Sequence, residues 1–130
     1  MKSNDIYKWE PIDQIPKQLY LDSIVDNGNG LTITGSETDV SDSLCLRFKS
    51  VIFYQSTDET NTLKRLDSFP LLSSEWPLFI CRESTYVDWL VDQSHEIIVK
   101  DGLCHYIITH GNGILDIIGY QVPEIKWIPF

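Results

Sequence analysis

The residues best able to do chemistry stand in the C-terminal third: Cys104, His105 and His110, flanked by Asp101 and Asp116. As a metal site the group fails on geometry. Neighbours on a strand point to opposite faces, so Cys104 and His105 cannot share one ion, and a core cysteine beside a hydrogen-bonded histidine is the simpler reading. As a nucleophilic site it has Cys, His and Asp, but no GxSxG or comparable elbow to present a nucleophile. His95 suits the end of a helix, where a cation complements the dipole. No Walker loop and no GxGxxG after a strand is present, and the adjacent acids Asp58 and Glu59 read as solvated loop. The sequence therefore names no catalytic residue, no cofactor and no metal ligand. One alternative stays open, a small-ligand-binding or enzymatic domain with a pocket near His105, Tyr106 and Asp116.

Charge says more. The chain carries 19 acids against 10 Lys and Arg, a net charge of −9. Residues 18–46 hold Asp22, Asp26, Glu37, Asp39 and Asp42 with no Lys or Arg, and residues 83–99 hold Glu83, Asp88, Asp92 and Glu96, again with none. These two segments carry the whole imbalance. A surface of this sign repels phosphate backbones and anionic lipid, which sets aside nucleic acid and membrane as partners, and it steers a basic protein. Asp22, Asp26, Glu37, Asp39, Asp42, Asp88, Asp92 and Glu96 are accordingly the candidate partner-binding residues. Solubility is the bland explanation for the same acids. Against it, Asp92 falls towards a helix C-terminus, where a negative charge opposes the dipole.

The elements that must position these residues follow from periodicity and turn chemistry. Residues 1–17, with Trp9, Pro11 and Pro16, read as an arm holding at most a short strand. Residues 18–25 fit strand or helix, and Asn27-Gly28-Asn29-Gly30 is a hairpin turn because Asn and Gly tolerate positive φ. Leu31 to Thr34 alternates as a half-buried strand, while Gly35 to Ser43, polar and acidic, reads as a loop. Leu44, Leu46 and Phe48 face one way and Cys45, Arg47 and Lys49 the other, in a strand expected to continue through Val51–Tyr54 with a bulge near Ser50. Residues 56–75 read as a connecting excursion in which Leu63 and Leu66 can share one helical turn. Trp76–Cys81 is a strand. The one convincing helix covers about residues 84–94, capped by Ser84 or Thr85, with Tyr86, Trp89 and Leu90 expected in the core and Asp88 and Asp92 outside. Ile97–Val99, Leu103–Thr109 and Ile114–Tyr120 are expected strands of a meander, and Pro123, Trp127 and Pro129 mark an extended tail.

The fold class implied is α+β, a mainly antiparallel sheet with one principal α-helix, in a single domain over residues 1–130. Average apolar and charged contents suit a globular chain, and no apolar run approaches a bilayer span. The first residues lack the continuous apolar region of a signal peptide, and three widely spaced cysteines, Cys45, Cys81 and Cys104, suit reduced thiols. The expected location is cytoplasmic.

Two strings carry a resemblance: Leu19-Tyr20-Leu21, Gly30-Leu31-Thr32-Ile33, Leu44-Cys45-Leu46-Arg47-Phe48 and Tyr54–Glu59 in the first half, and Trp76-Pro77-Leu78-Phe79, Ser84–Leu90, His105–Ile108 and Asp116-Ile117-Ile118 in the second. Over roughly residues 5–125 the chain resembles small bacterial immunity proteins of toxin–immunity systems, including contact-dependent growth inhibition. The matching positions are structural alternations and aromatics, so the resemblance transfers no catalytic residue. It implies a cytoplasmic protein that binds and neutralises the C-terminal domain of a toxin, often a basic nuclease.

Overall fold

The computed structural model describes residues 5–129. Residues 1–4 of the N-terminal arm and Phe130 lie outside the described residues. Nine strands are present among those described: β1 (Asp5–Lys8), β2 (Tyr20–Asp26), β3 (Leu31–Glu37), β4 (Val40–Phe48), β5 (Val51–Asp58), β6 (Leu78–Arg82), β7 (Cys104–His110), β8 (Gly113–Gly119) and β9 (Glu124–Ile128). Two α-helices, α1 (Leu63–Ser68) and α2 (Thr85–Gln93), accompany them, with 3-10 turns at Glu59–Thr62 and Pro70–Ser73. The fold is α+β and every strand pairing is antiparallel.

The strands divide between two sheets, β1-β6-β7-β8-β5 and β2-β3-β4-β9. Alternation explains how they stack. On β3 and β4, Leu31, Ile33, Leu44, Leu46 and Phe48 point inward and meet Leu78, Tyr106, Ile108, Leu115 and Ile117 of the five-stranded sheet. The opposite face of that sheet is also apolar: Phe79, Cys81, Ile107 and Ile114 are covered by Leu66, Phe69, Leu71 and Leu72 of the segment running through α1. The five-stranded sheet is thus the middle of three layers. β8, buried along its whole length, reads as a continuous apolar run interrupted by Asp116 alone. Each fully buried Leu or Ile here contributes about 1.5–3 kcal/mol by leaving water.

The hairpin turn forms as expected, with Asn27 Oδ1 accepting from the Asn29 N–H at 3.0 Å. Gly30 is required: its φ is +126°, and a Cβ there would stand 2.5 Å from the Phe48 carbonyl oxygen. Several expectations need correction. Gly35 to Ser43 is not a loop but the end of β3 and start of β4, turning at Thr38–Asp39. Its strand ends project beyond the core, so no apolar alternation marked them. The strand does not continue through Ser50 in one sheet: the chain bends at Lys49–Ser50 and crosses from the four-stranded sheet to the five-stranded one, and the expected irregularity lies just beyond, between Val51 and Phe53. Residues 56–75 are ordered as the end of β5 and the helical cover. Ile97–Val99 forms no strand: positive φ at His95 and Glu96 turns the chain away, leaving Ile97 82% exposed. The tail is more than extended, since β9 pairs with β4.

Helix α2 starts where sequence placed it. Ser84 is the cap, its Oγ accepting from the Val87 N–H at 3.2 Å. The face it buries is rotated from the expected one. Val87 is the buried residue, and Trp89, expected in the core, is 50% exposed. Trp89 reaches towards β5, the last strand of its sheet, and meets Phe53 edge to face with ring centroids 6.0 Å apart.

Candidate functional site

Asp116 is the single charged residue on an otherwise apolar strand, and burial of a lone carboxylate is costly unless it is paired and hydrogen-bonded. The structure supplies its partners from three elements. Arg65 on α1 grips it with two hydrogen bonds, Nη1 to Oδ2 at 2.7 Å and Nη2 to Oδ1 at 2.6 Å. His105 on β7 places Nε2 2.7 Å from Oδ1, and Gln55 on β5 donates to Oδ2 at 3.2 Å and to the Tyr86 hydroxyl at 3.0 Å. Burial pushes the Asp116 carboxyl up, but the hydrogen bonds and charges of Arg65 and His105 outweigh it and hold the group well below its ordinary range. Burial likewise disfavours the Arg65 cation, and Asp116 reverses that, so its pKa ends above its ordinary value.

The chain of contacts continues to Ser84, whose Oγ lies 2.7 Å from His105 Nδ1. Serine, histidine and aspartate therefore stand in line, an arrangement that hydrolases use to activate a nucleophile. Here the line is buried and has a structural role. Ser84 is 3% exposed, His105 1% and Asp116 0%. Asp116 is held ionised, so His105 donates to it through Nε2, while Nδ1 shares a hydrogen bond with Ser84 Oγ, which also accepts the Val87 N–H. Each of the three side chains is thus hydrogen-bonded inside the protein, and Ser84 also borders an open cleft. The network fastens α1 and α2 to the middle sheet; Arg65 also lies over the Tyr86 ring at 5.5 Å, and Tyr86 meets His105 edge to face.

The alternative pocket near His105, Tyr106 and Asp116 is divided by the sheet itself. His105 and Asp116 meet on the helical side, whereas Tyr106, the next residue along β7, packs against Trp9 and Phe48 on the other. Burial raises the Tyr106 hydroxyl far above its ordinary pKa. An open cleft of about 820 Å³ touches Tyr106 and Ser84 but neither His105 nor Asp116. Cys104 and His105 do point apart, and no group of three metal-ligating side chains occurs among the described residues. None of the three cysteines forms a disulfide.

The acids fall in two places. Asp22, Asp26, Glu37, Asp39 and Asp42 belong to β2, β3, β4 and the β3–β4 turn, on the four-stranded sheet. Asp22 accepts from the Ser36 hydroxyl at 3.3 Å, and Glu37 and Asp42 flank one cleft with Trp127. Asp26, at the other end of β2, accepts from the Tyr54 hydroxyl at 3.3 Å, which brings it to β5. Asp88, Asp92 and Glu96 lie on or just beyond α2, in the opposite outer layer, where Asp88 pairs with Lys100 at 3.0 Å. The two acid-rich segments therefore do not merge into one patch, and Asp26 comes closest to joining them.

Arg65 and Gln55 were invisible as site residues because they lie 51 and 61 positions from Asp116, and Ser84 because it lies 21 positions from His105. One signal was available: an acid within Gly113–Gly119 must find a buried cation. Compared with known families, curated proteins and solved structures, the chain gives no match.

Proposed function

We propose that this is an immunity-type protein, acting in the cytoplasm, that binds and neutralises a basic toxin domain through its acidic surface. The observation that carries the reading is electrostatic. Asp22, Asp26, Asp39, Asp42, Asp92 and Glu96 are exposed, and no Lys, Arg or His among the described residues pairs with any of them. Unneutralised like charges on one small domain repel one another, and a basic partner relieves that repulsion while gaining a steered encounter. The reading draws on the resemblance over residues 5–125, and the residues of the strongest catalytic competitor, Ser84, His105 and Asp116, are all buried. No helix among the described residues is long and apolar enough to cross a membrane. The test is co-purification with the product of the adjacent gene: a stable complex with a basic toxin domain supports the reading, and no association with any adjacent product overturns it. A second reading, a small-ligand site, rests on the cleft against Tyr106 and Ser84; ligand-dependent chemical shift changes there, with no protein partner found, would favour it.

A further inference from the structure

Strand β5 is an edge without a guard. Edge strands expose unpaired N–H and C=O groups, and proteins commonly protect them with charged residues, proline, bulges or a covering element. The other three edges carry charges along their length: β1 has Asp5 and Lys8, β2 has Asp22 and Asp26, β9 has Glu124 and Lys126. β5 reads VIFYQSTD, seven uncharged residues before Asp58, without proline and with its register shift confined to Val51/Phe53. Among the described residues it pairs only with β8. Beside this edge opens a cleft of about 390 Å³ between β5 and α2, lined by Phe53, Gln55, Thr85, Tyr86 and Trp89. The half-exposed Trp89 forms its wall, so a large aromatic surface faces water next to an available strand edge.

The charges around the edge have one sign. Asp26 reaches it through the Tyr54 hydroxyl, Asp58 and Glu59 close its far end, and Asp92 follows Trp89 by one helical turn. The bases nearby are already neutralised, Arg65 by Asp116 and Lys49 by Glu124 at 3.4 Å. We infer that the outer edge of β5 takes an extended Lys- or Arg-rich segment of the basic protein partner as an added strand, one cationic side chain lying against the aromatic cleft. Main-chain hydrogen bonds supply the pairing, aromatic faces attract the cation, and the flanking acids select its sign. The inference deepens the basic-partner reading above and rests on it.

The experiment titrates the isotope-labelled full chain with a synthetic peptide of alternating Arg and Val, and with its Glu–Val counterpart, following amide and indole signals by NMR. The expected result is shift changes centred on residues 51–58 and the Trp89 indole with the Arg–Val peptide alone. Trp89→Ala should weaken that binding about tenfold or more, the scale of an interface aromatic. Ser56→Lys, at an exposed position of β5, should abolish it while the remaining spectrum is kept. Shifts confined to the acidic β3–β4 turn, equal binding of the Glu–Val peptide, or an edge occupied by a second copy of the chain (seen as concentration-dependent diffusion) would each overturn the β5 assignment. The basic-partner reading itself fails separately, when neither the Arg–Val peptide nor the adjacent gene's basic product binds anywhere on the protein.

Discussion

Replacing Asp116 with Asn keeps the shape of the side chain and removes its charge. The Arg65 guanidinium, 19% exposed, then keeps its burial and loses its counter-ion, and the new amide NH2 faces donors from Arg65 or His105. Breaking a buried pair by removing one partner costs about 3–5 kcal/mol. Against a total stability of about 5–15 kcal/mol that is a large share, and with a urea slope near 2 kcal/mol/M the midpoint should fall by about 2 M. Urea denaturation followed by tryptophan fluorescence reads it directly. Adding Arg65→Met removes the stranded cation, so the double variant should lose less than the sum of the two single losses. A midpoint within about 0.5 M of wild type, or strict additivity, would refute the view that this network fastens the helices to the sheet. The same network sets an acid limit. A carboxyl whose folded pKa is depressed contributes stability above its unfolded pKa, about 3.9, and loses it as pH falls through that value towards the folded one. Wild type should therefore weaken steeply below about pH 4, and Asp116→Asn should lack that part of the loss.

Three further outcomes follow from packing. Burial pushes the Cys81 thiol up to about 11, even with Arg65 acting the other way, so at pH 8 it should resist iodoacetamide while the half-buried Cys45 reacts; thiol titration in denaturant should find all three. Gly119→Ala puts a Cβ 2.0 Å from the Ser50 carbonyl oxygen, so β5 must shift away from β8, at a cost of about 1–3 kcal/mol in denaturation. Trp89→Ala should cost less than the roughly 3–5 kcal/mol of a fully buried tryptophan, because half its surface is already in water, and a loss in that range would show a closed cleft.

Where the sequence was legible, a local rule decided the structure. The Leu44/Leu46/Phe48 alternation, the Asn-Gly turn and the Ser84 cap each depend on residues within a few positions, and each stands as expected. The segments misread were those whose conformation depends on distant contacts. Val40–Ser43 is mostly polar yet runs as strand because β3 holds it, and the tail becomes β9 because β4 offers it an edge. Trp89 misled for the same reason: the helical wheel gives an apolar stripe but not where the sheet ends beneath it. At the site, His105 and Asp116 could be singled out as a pair, whereas Tyr106 belonged to the opposite face by simple strand alternation, and Arg65 and Ser84 became visible only through the fold.

The most direct measurement of the central claim is calorimetric binding of the toxin domain encoded beside this gene, at low and high salt. The comparison is wild type against a variant carrying Asp39→Asn, Asp42→Asn and Asp92→Asn. Exposed charges contribute little to stability, so the variant should melt close to wild type. Wild type should bind tightly and more weakly as salt rises, and the variant should bind more weakly and with less salt dependence. Equal affinity and equal salt dependence in the two proteins would contradict the claim.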